Sequence, residues 1–265
     1  MQAYGWDFFA HDEWNPVLLH FGALGAIKGT LITSLIALAI AVPVSFGITI
    51  FILNIAPVSM RKTLRITIDL LAGIPSIIYG MWGLSACAPL IGHYIQPFMK
   101  HYFGNLPWMG HLFCDNAMGI GLFTAGVVLG IMIIPFITSM MQDVFEMVPH
   151  ILIESVLSLG ATTWEAIWYV IVPYGRIGFI GGIMLGLGRA LGETMAVSFV
   201  IGNAHTLTST LFGPASSITS SIANEFTEAT ETLYSSALLE LGLFLFILTG
   251  LVVLLSNLLL KATHK

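Results

Sequence analysis

Residues 176–203 read RIGFIGGIMLGLGRALGETMAVSFVIGN. The run is apolar on every side and long enough to cross a bilayer as a helix, yet it holds Arg189 and Glu193, four positions apart. At that spacing a continuous helix presents both on one face, with Gly182, Gly186 and Ala196 near the same stripe. Placing either charge at a bilayer centre costs on the order of 2.5–3.5 kcal/mol on the insertion scale. An exposed pair at this spacing returns only about 0.3–0.5 kcal/mol, and Arg ahead of Glu is the weaker order. Desolvation largely cancels the gain of a buried pair. The pair is therefore expected either to line a polar pathway, as intramembrane ionisable groups usually do, or to clasp two helices where glycines permit close approach.

The whole chain obeys the same solvent. Of its 265 residues 57% are hydrophobic and 9% charged, and the mean hydropathy is +0.92. A soluble domain carries roughly a quarter charged residues; this chain could not cover a water-facing surface, so a lipid bilayer is its expected surrounding. The net charge of −5 is dispersed, and no basic tract offers itself to nucleic acid. Cys87 and Cys114 make no disulfide framework and are expected as free thiols, with a single bridge left open. The opening MQAYGWDFFAHDEW has no basic region followed by an apolar one, so no cleaved signal is expected.

Five stretches are long and apolar enough to span, at about 29–55, 66–92, 118–141, 177–202 and 236–260. Each is expected to be a helix, since a spanning segment must satisfy its own backbone, and none shows the alternation of a barrel strand. Arg61, Lys62, Arg65, Arg176, Lys261 and Lys265 fall on one side if the N-terminus is outside, against Lys28 and Lys100 on the other. That bias predicts an outside N-terminus and a cytoplasmic C-terminus. The predicted fold is an all-α polytopic membrane protein, a single transmembrane domain over 1–265. Its outer connection at 203–235 carries Glu225, Glu228 and Glu231 but no basic residue.

The inner connection at 142–175 is patterned. In EMVPHILIESVLSLGATTWEAIWYVIVPYGR (146–176) a short helix is expected after Pro149, a turn at Gly160, and a second amphipathic helix stopped by Pro173. Leu157, Leu159, Trp164 and Trp168 are too apolar for a self-solvating loop, which predicts a partner.

The spacing from Glu154-Ser155-Val156 through Gly160 to Val170-Ile171-Val172-Pro173 resembles the EAA-type loop of ABC importer permeases, although two triplet positions depart from Glu-Ala-Ala. GRALGETMAV followed by IGN, with LAGIPSIIYG at 71–80, is similar to the PstC-type permeases of phosphate-specific importers over about residues 14–260. The sulfate and molybdate permeases tend to read ALGEFG there. The resemblance implies the type I ABC importer permease fold in a bacterial inner (plasma) membrane and ATP-driven import of inorganic phosphate. It implies four kinds of partner: a second permease, two copies of a cytoplasmic ATPase, an external phosphate-binding protein and lipid. No cofactor is implied in this chain; ATP and Mg belong to the ATPase. Glu154, Gly160 and Pro173 are then expected to couple to the ATPase, and Arg189 and Glu193 to line the substrate pathway. There an arginine can grip an oxyanion with forked hydrogen bonds, while Glu193 either holds the guanidinium or carries a proton. Such permeases have six spans, and this chain opens where their first outer loop should lie, so the first span is expected to be missing, through a misplaced gene start or a shortened protein. The same machinery for sulfate or molybdate, and an ion-coupled secondary carrier using Glu193, are the alternatives. The carrier has no need of an apolar coupling knob.

Gly73, Pro75 and Ser76 interrupt the second stretch and read as a packing kink or a hinge. Asp69 and Glu240 are expected at the interfaces. His93, His101, His111 and Cys114 fit no zinc spacing, and no metal site is expected. No G-x-x-x-x-G-K-[ST], G-x-S-x-G or HExxH occurs, so no ATP site and no catalytic residue are expected in this chain, which is read as a non-enzyme.

Overall fold

An apolar run in hydrocarbon has no water to satisfy its peptide groups, and helices follow wherever these runs are long. The computed structural model describes residues 7–104, 110–113, 118–205 and 210–263. Among them, four helical stretches are long and apolar enough to span: Leu24–Ile55, Leu122–Glu146, Thr163–Leu191 and Thr232–Leu258. A broken pair, Val58–Ala72 with Ser76–Phe103, makes a fifth if it is one span. Cys114 lies outside the described residues; Cys87 is a buried free thiol.

Two of the expected helices are corrected. The second was to run through Pro75 with a kink, but one helix ends at Ala72 and another begins at Ser76. The Gly73 N–H closes the first on the Leu70 and Leu71 carbonyls, and Pro75 caps the next from an extended conformation. A proline that cannot donate, preceded by a residue it pushes out of the helical region, leaves no route for a continuous ladder. The fourth was to begin after a stop at Pro173. Instead, the second helix of the inner connection runs on as Thr163–Leu191. A π turn at Ile167–Ile171 precedes Pro173, the second residue of the Val172–Leu191 helix. The wider turn re-spaces the carbonyls just where the proline has no N–H to give them.

The chain forms two compact units. The first comprises Met1–Ala37, Pro75–Gly130 and Ala190–Thr249. A short hairpin pairs Trp14 with Phe21, and both join Phe8, Ile218, Tyr234, Leu238 and Leu241 in a buried cluster. The Phe21 and Tyr234 rings stack with centroids 5.1 Å apart. Elsewhere in this unit the Ser76–Trp82 and Met195–Val200 helices meet closely: a Cβ on Gly80 would stand 3.0 Å from the Ala196 Cα.

The second unit comprises Leu38–Ile74, Ile131–Arg189 and Gly250–Lys265. Here Gly175, Gly178, Gly182 and Gly186 of the Val172–Leu191 helix lie on one stripe against the Leu122–Glu146 helix. A Cβ on Gly178 would fall 2.4 Å from Val144 Cγ2, and one on Gly186 2.8 Å from Ile137 Cδ1. Small residues thus let Val144 and Ile137 pack directly onto the backbone of the facing helix, which in lipid stabilises the pair by dispersion rather than by the hydrophobic effect. Phe145 and Phe179 fill the space beside the stripe, centroids 5.4 Å apart.

Candidate functional site

The GRALGET segment is a helix end, not a helix interior. The Val172–Leu191 helix stops two residues after Arg189, and the short Met195–Val200 helix starts two residues after Glu193. The single face expected to carry both charges therefore does not exist. Gly192 favours the stop, and the break is fastened by polar atoms. The Glu193 carboxylate accepts the Ala196 N–H at 3.3 Å, and its backbone carbonyl accepts the Thr219 hydroxyl at 2.7 Å. A negative group at the start of a helix is where its free N–H groups want one. On the other side of the short helix, Gly202 and Asn203 both take positive φ, 95° and 48°. Asn203 returns its amide to the Ser198 carbonyl at 3.0 Å. The IGN triplet is thus a helix stop.

Arg189 is exposed, and its guanidinium carbon lies 5.5 Å from the centre of the Phe136 ring. A guanidinium over a ring keeps N–H donors available for other partners. Among the described residues none of those donors makes a hydrogen bond.

Across the inner connection, His150–Ser158 forms one helix, with Glu154 exposed on it. Gly160 turns the chain at φ +91°, with open space around it. The turn needs glycine for its backbone alone, because L-residues meet a Cβ clash in this region. Thr162 then opens the next helix with a capping box to Glu165. The tip is apolar and uncovered: Leu159 is 87% exposed and Trp164 58%. Gly160 therefore sits where the sequence placed it, whereas Pro173 lies inside a helix instead of ending one. Gly73, Pro75 and Ser76 form the break described above.

Two polar clusters escaped sequence reading. Arg65 donates to Asp143 at 2.7 Å and also to Glu146, and Ser139 donates to Asp69 at 2.9 Å. These tie the Val58–Ala72 helix to the end of Leu122–Glu146. The clue was an i, i+4 basic-acidic pair, Arg65 and Asp69, separated from Ser139, Asp143 and Glu146 by some seventy residues. The other cluster is centred on Glu225, expected as one of three loop acids but in fact buried, 9% exposed. Its carboxylate accepts from the Trp14 indole at 2.7 Å and the Tyr234 hydroxyl at 2.5 Å, and pairs with His205 at 2.6 Å. Burial pushes this carboxyl up, but the His205, Tyr234 and Trp14 hydrogen bonds and the His205 charge together outweigh it. Glu225 is held below the usual carboxylate range. Among the described residues no three His, Cys, Asp or Glu gather as metal ligands would.

A membrane-embedded helical chain with a helix break just past an arginine and an apolar tip on the connection at 142–175 has the parts of a transport permease. Residues 25–265 match the model of the binding-protein-dependent transport system inner membrane component, and the chain belongs to that family. It is a multi-pass permease subunit of a bacterial ABC importer. Among its relatives, the phosphate transport system permease protein PstC of Pasteurella multocida is 56% identical over 262 residues, 99% of this chain and 82% of that protein. PstC of Haemophilus influenzae is 54% identical, over 100% of this chain and 84% of that protein. PstC 1 of Mycobacterium tuberculosis is 36% identical, over 92% and 78%. The fold is shared with the inward-facing MetNI methionine ABC transporter at a TM-score of 0.61 and 17% identity, covering 92% of this chain and 95% of that one. An amino acid ABC transporter aligns at 0.56 and 17% identity, over 89% and 92%. These likenesses give the type I importer permease fold.

Proposed function

We propose that this chain is the permease subunit through which an ABC importer moves inorganic phosphate into a bacterial cell. One observation carries the reading: 56% identity to a phosphate permease extends over 99% of the chain, through the Arg189–Glu193 break. The arginine lines the pathway, its guanidinium over the Phe136 ring and its N–H donors presented to a tetrahedral oxyanion. Glu193, four positions further along the chain, braces the break through Ala196 and Thr219.

The chain is oriented with its N-terminus outside and its C-terminus in the cytoplasm. It pairs with a second, similar permease and with two cytoplasmic ATPase subunits that use ATP and Mg. An external binding protein delivers phosphate at the outer connection. The His150–Ser158 helix, the Gly160 turn and the exposed Trp164 form the surface that the ATPase grips. Glu154 on that helix and Pro173 in the helix that follows the turn are assigned to the same coupling.

The test is ATP-driven uptake of labelled phosphate into proteoliposomes holding the full complex, with sulfate and molybdate as competitors. The intact complex takes up phosphate selectively, while Arg189→Gln assembles and loses uptake by at least about a hundredfold, the effect of removing a charge-assisted contact made at the transferring group. Competition by sulfate at equal concentration overturns the substrate. Uptake without the ATPase overturns the machine. Normal uptake by Arg189→Gln leaves the arginine a helix clasp.

A further inference from the structure

Within the second unit a cavity of about 820 Å³ opens between the Val58–Ala72 helix, the end of Leu122–Glu146 and the His150–Ser158 helix. Its lining is basic. Arg61, Lys62, Arg65 and His150 face it, against the single carboxylate of Glu146. Arg65 already answers Glu146 and Asp143. Arg61 spends only its Nε–H, on the Ala56 carbonyl at 3.0 Å. Among the described residues Lys62 and His150 make no ion pair or hydrogen bond. Cationic capacity is therefore left over.

A second observation points into the same space. Gln142 lines the cavity and is 0% exposed, yet neither its amide nitrogen nor its amide oxygen has a hydrogen-bond partner; the Asn54 amide nitrogen, also at the wall, has none. Buried amides are nearly always paired, because leaving one unpaired forfeits its hydration. A ligand that satisfies Gln142 must both accept and donate.

We propose that this cavity binds a phosphate group that carries a hydroxyl, as protonated inorganic phosphate or as a phosphatidylglycerol headgroup. The anionic oxygens meet Lys62, the free guanidinium edge of Arg61 and the Gln142 and Asn54 N–H groups. The ligand hydroxyl donates to the Gln142 oxygen. Sulfate, fully ionised at neutral pH, has no such donor. The bound group sits against the helix assigned to ATPase coupling, so its cytoplasmic placement rests on the orientation proposed above. It gives imported phosphate, or the inner leaflet, a hold on the coupling segment.

The experiment uses the full complex carrying Arg189→Gln, which removes the proposed pathway arginine, in phosphatidylcholine nanodiscs without ATP or binding protein. Labelled inorganic phosphate is titrated in, and retention of added phosphatidylglycerol is read by native mass spectrometry. Saturable phosphate binding that resists excess sulfate and weakens at least about tenfold in Lys62→Gln assigns the site to free phosphate, the loss expected for one charged hydrogen bond. Retention of phosphatidylglycerol with the same dependence on Lys62 assigns it to lipid. Gln142→Met, which keeps the side-chain volume but removes the amide, weakens whichever ligand binds. Binding of neither, or binding indifferent to both substitutions, overturns the proposal. Because no transport is measured, these outcomes do not depend on whether Arg189 serves the pathway.

Discussion

The Trp14 indole donates to the Glu225 carboxylate at 2.7 Å across 211 positions of sequence. This bond joins the N-terminal hairpin to the helix Ile218–Glu225, and the Tyr234 hydroxyl brings the last span to the same oxygen. Glu225→Leu leaves two buried donors unanswered and is expected to lower the stability of the purified subunit by about 2–4 kcal/mol. Thermal melting followed by Trp fluorescence checks this. Glu225→Gln retains an acceptor and should cost less than half as much.

The same carboxyl sets a pH dependence. Its folded pKa lies below the usual glutamate value, so its contribution is complete above that usual value. It is lost as pH falls through the lower folded pKa. Melting between pH 7 and pH 3 should show an acid-side loss of stability that Glu225→Gln flattens. An unchanged profile in the variant would move the titration elsewhere.

Gly178 and Gly181 make a matched pair. A Cβ on Gly178 would strike Val144, whereas one on Gly181 meets nothing within 4 Å. Gly178→Ala is expected to destabilise the helix pair by about 1–3 kcal/mol, and Gly181→Ala to change stability by no more than about 0.5 kcal/mol. Melting temperatures of the two variants in one detergent decide it.

Arg65 and Asp143 are each about a third to a half exposed, with side-chain accessibilities of 35% and 46%. A double-mutant cycle of Arg65→Gln and Asp143→Asn should therefore give a coupling of only about 0.2–1 kcal/mol. A markedly larger value would mean that the partner subunits desolvate the pair.

Leu159→Lys with Trp164→Ala strips the inner tip of its apolar contacts while leaving the Gly160 turn alone. Membrane insertion should be unchanged, and affinity for the ATPase should fall at least about tenfold, since exposed aromatic anchors dominate interfaces. Pull-down against membrane yield separates the two effects.

Much of this architecture could be read from local chemistry. Apolar length places the spans, and the glycine at 160 places the turn, because both depend on residues within one or two helical turns. The helix ends at Leu191 and Ala72 were harder. Gly192 and Gly73 occur in runs with many other glycines that do pack inside helices, and only the contacts of Glu193 with Ala196 and Thr219 distinguish a stop from a stripe. Pro173 misled for the opposite reason: a π turn one residue earlier absorbs it, and no side chain announces that turn. Glu225 was beyond local reading, since its partners come from residues 14, 205 and 234.

The uncovered tip at Leu159 and Trp164 also bears on how cells must manage this subunit. A copy synthesised without its companions holds a greasy handle out into water, and the docking proposed above would cover that handle once the complex is complete. Proteolytic surveillance that grips exposed indoles would then clear surplus copies and spare assembled ones. The level of this permease would follow the scarcest member of its complex and not its own rate of synthesis.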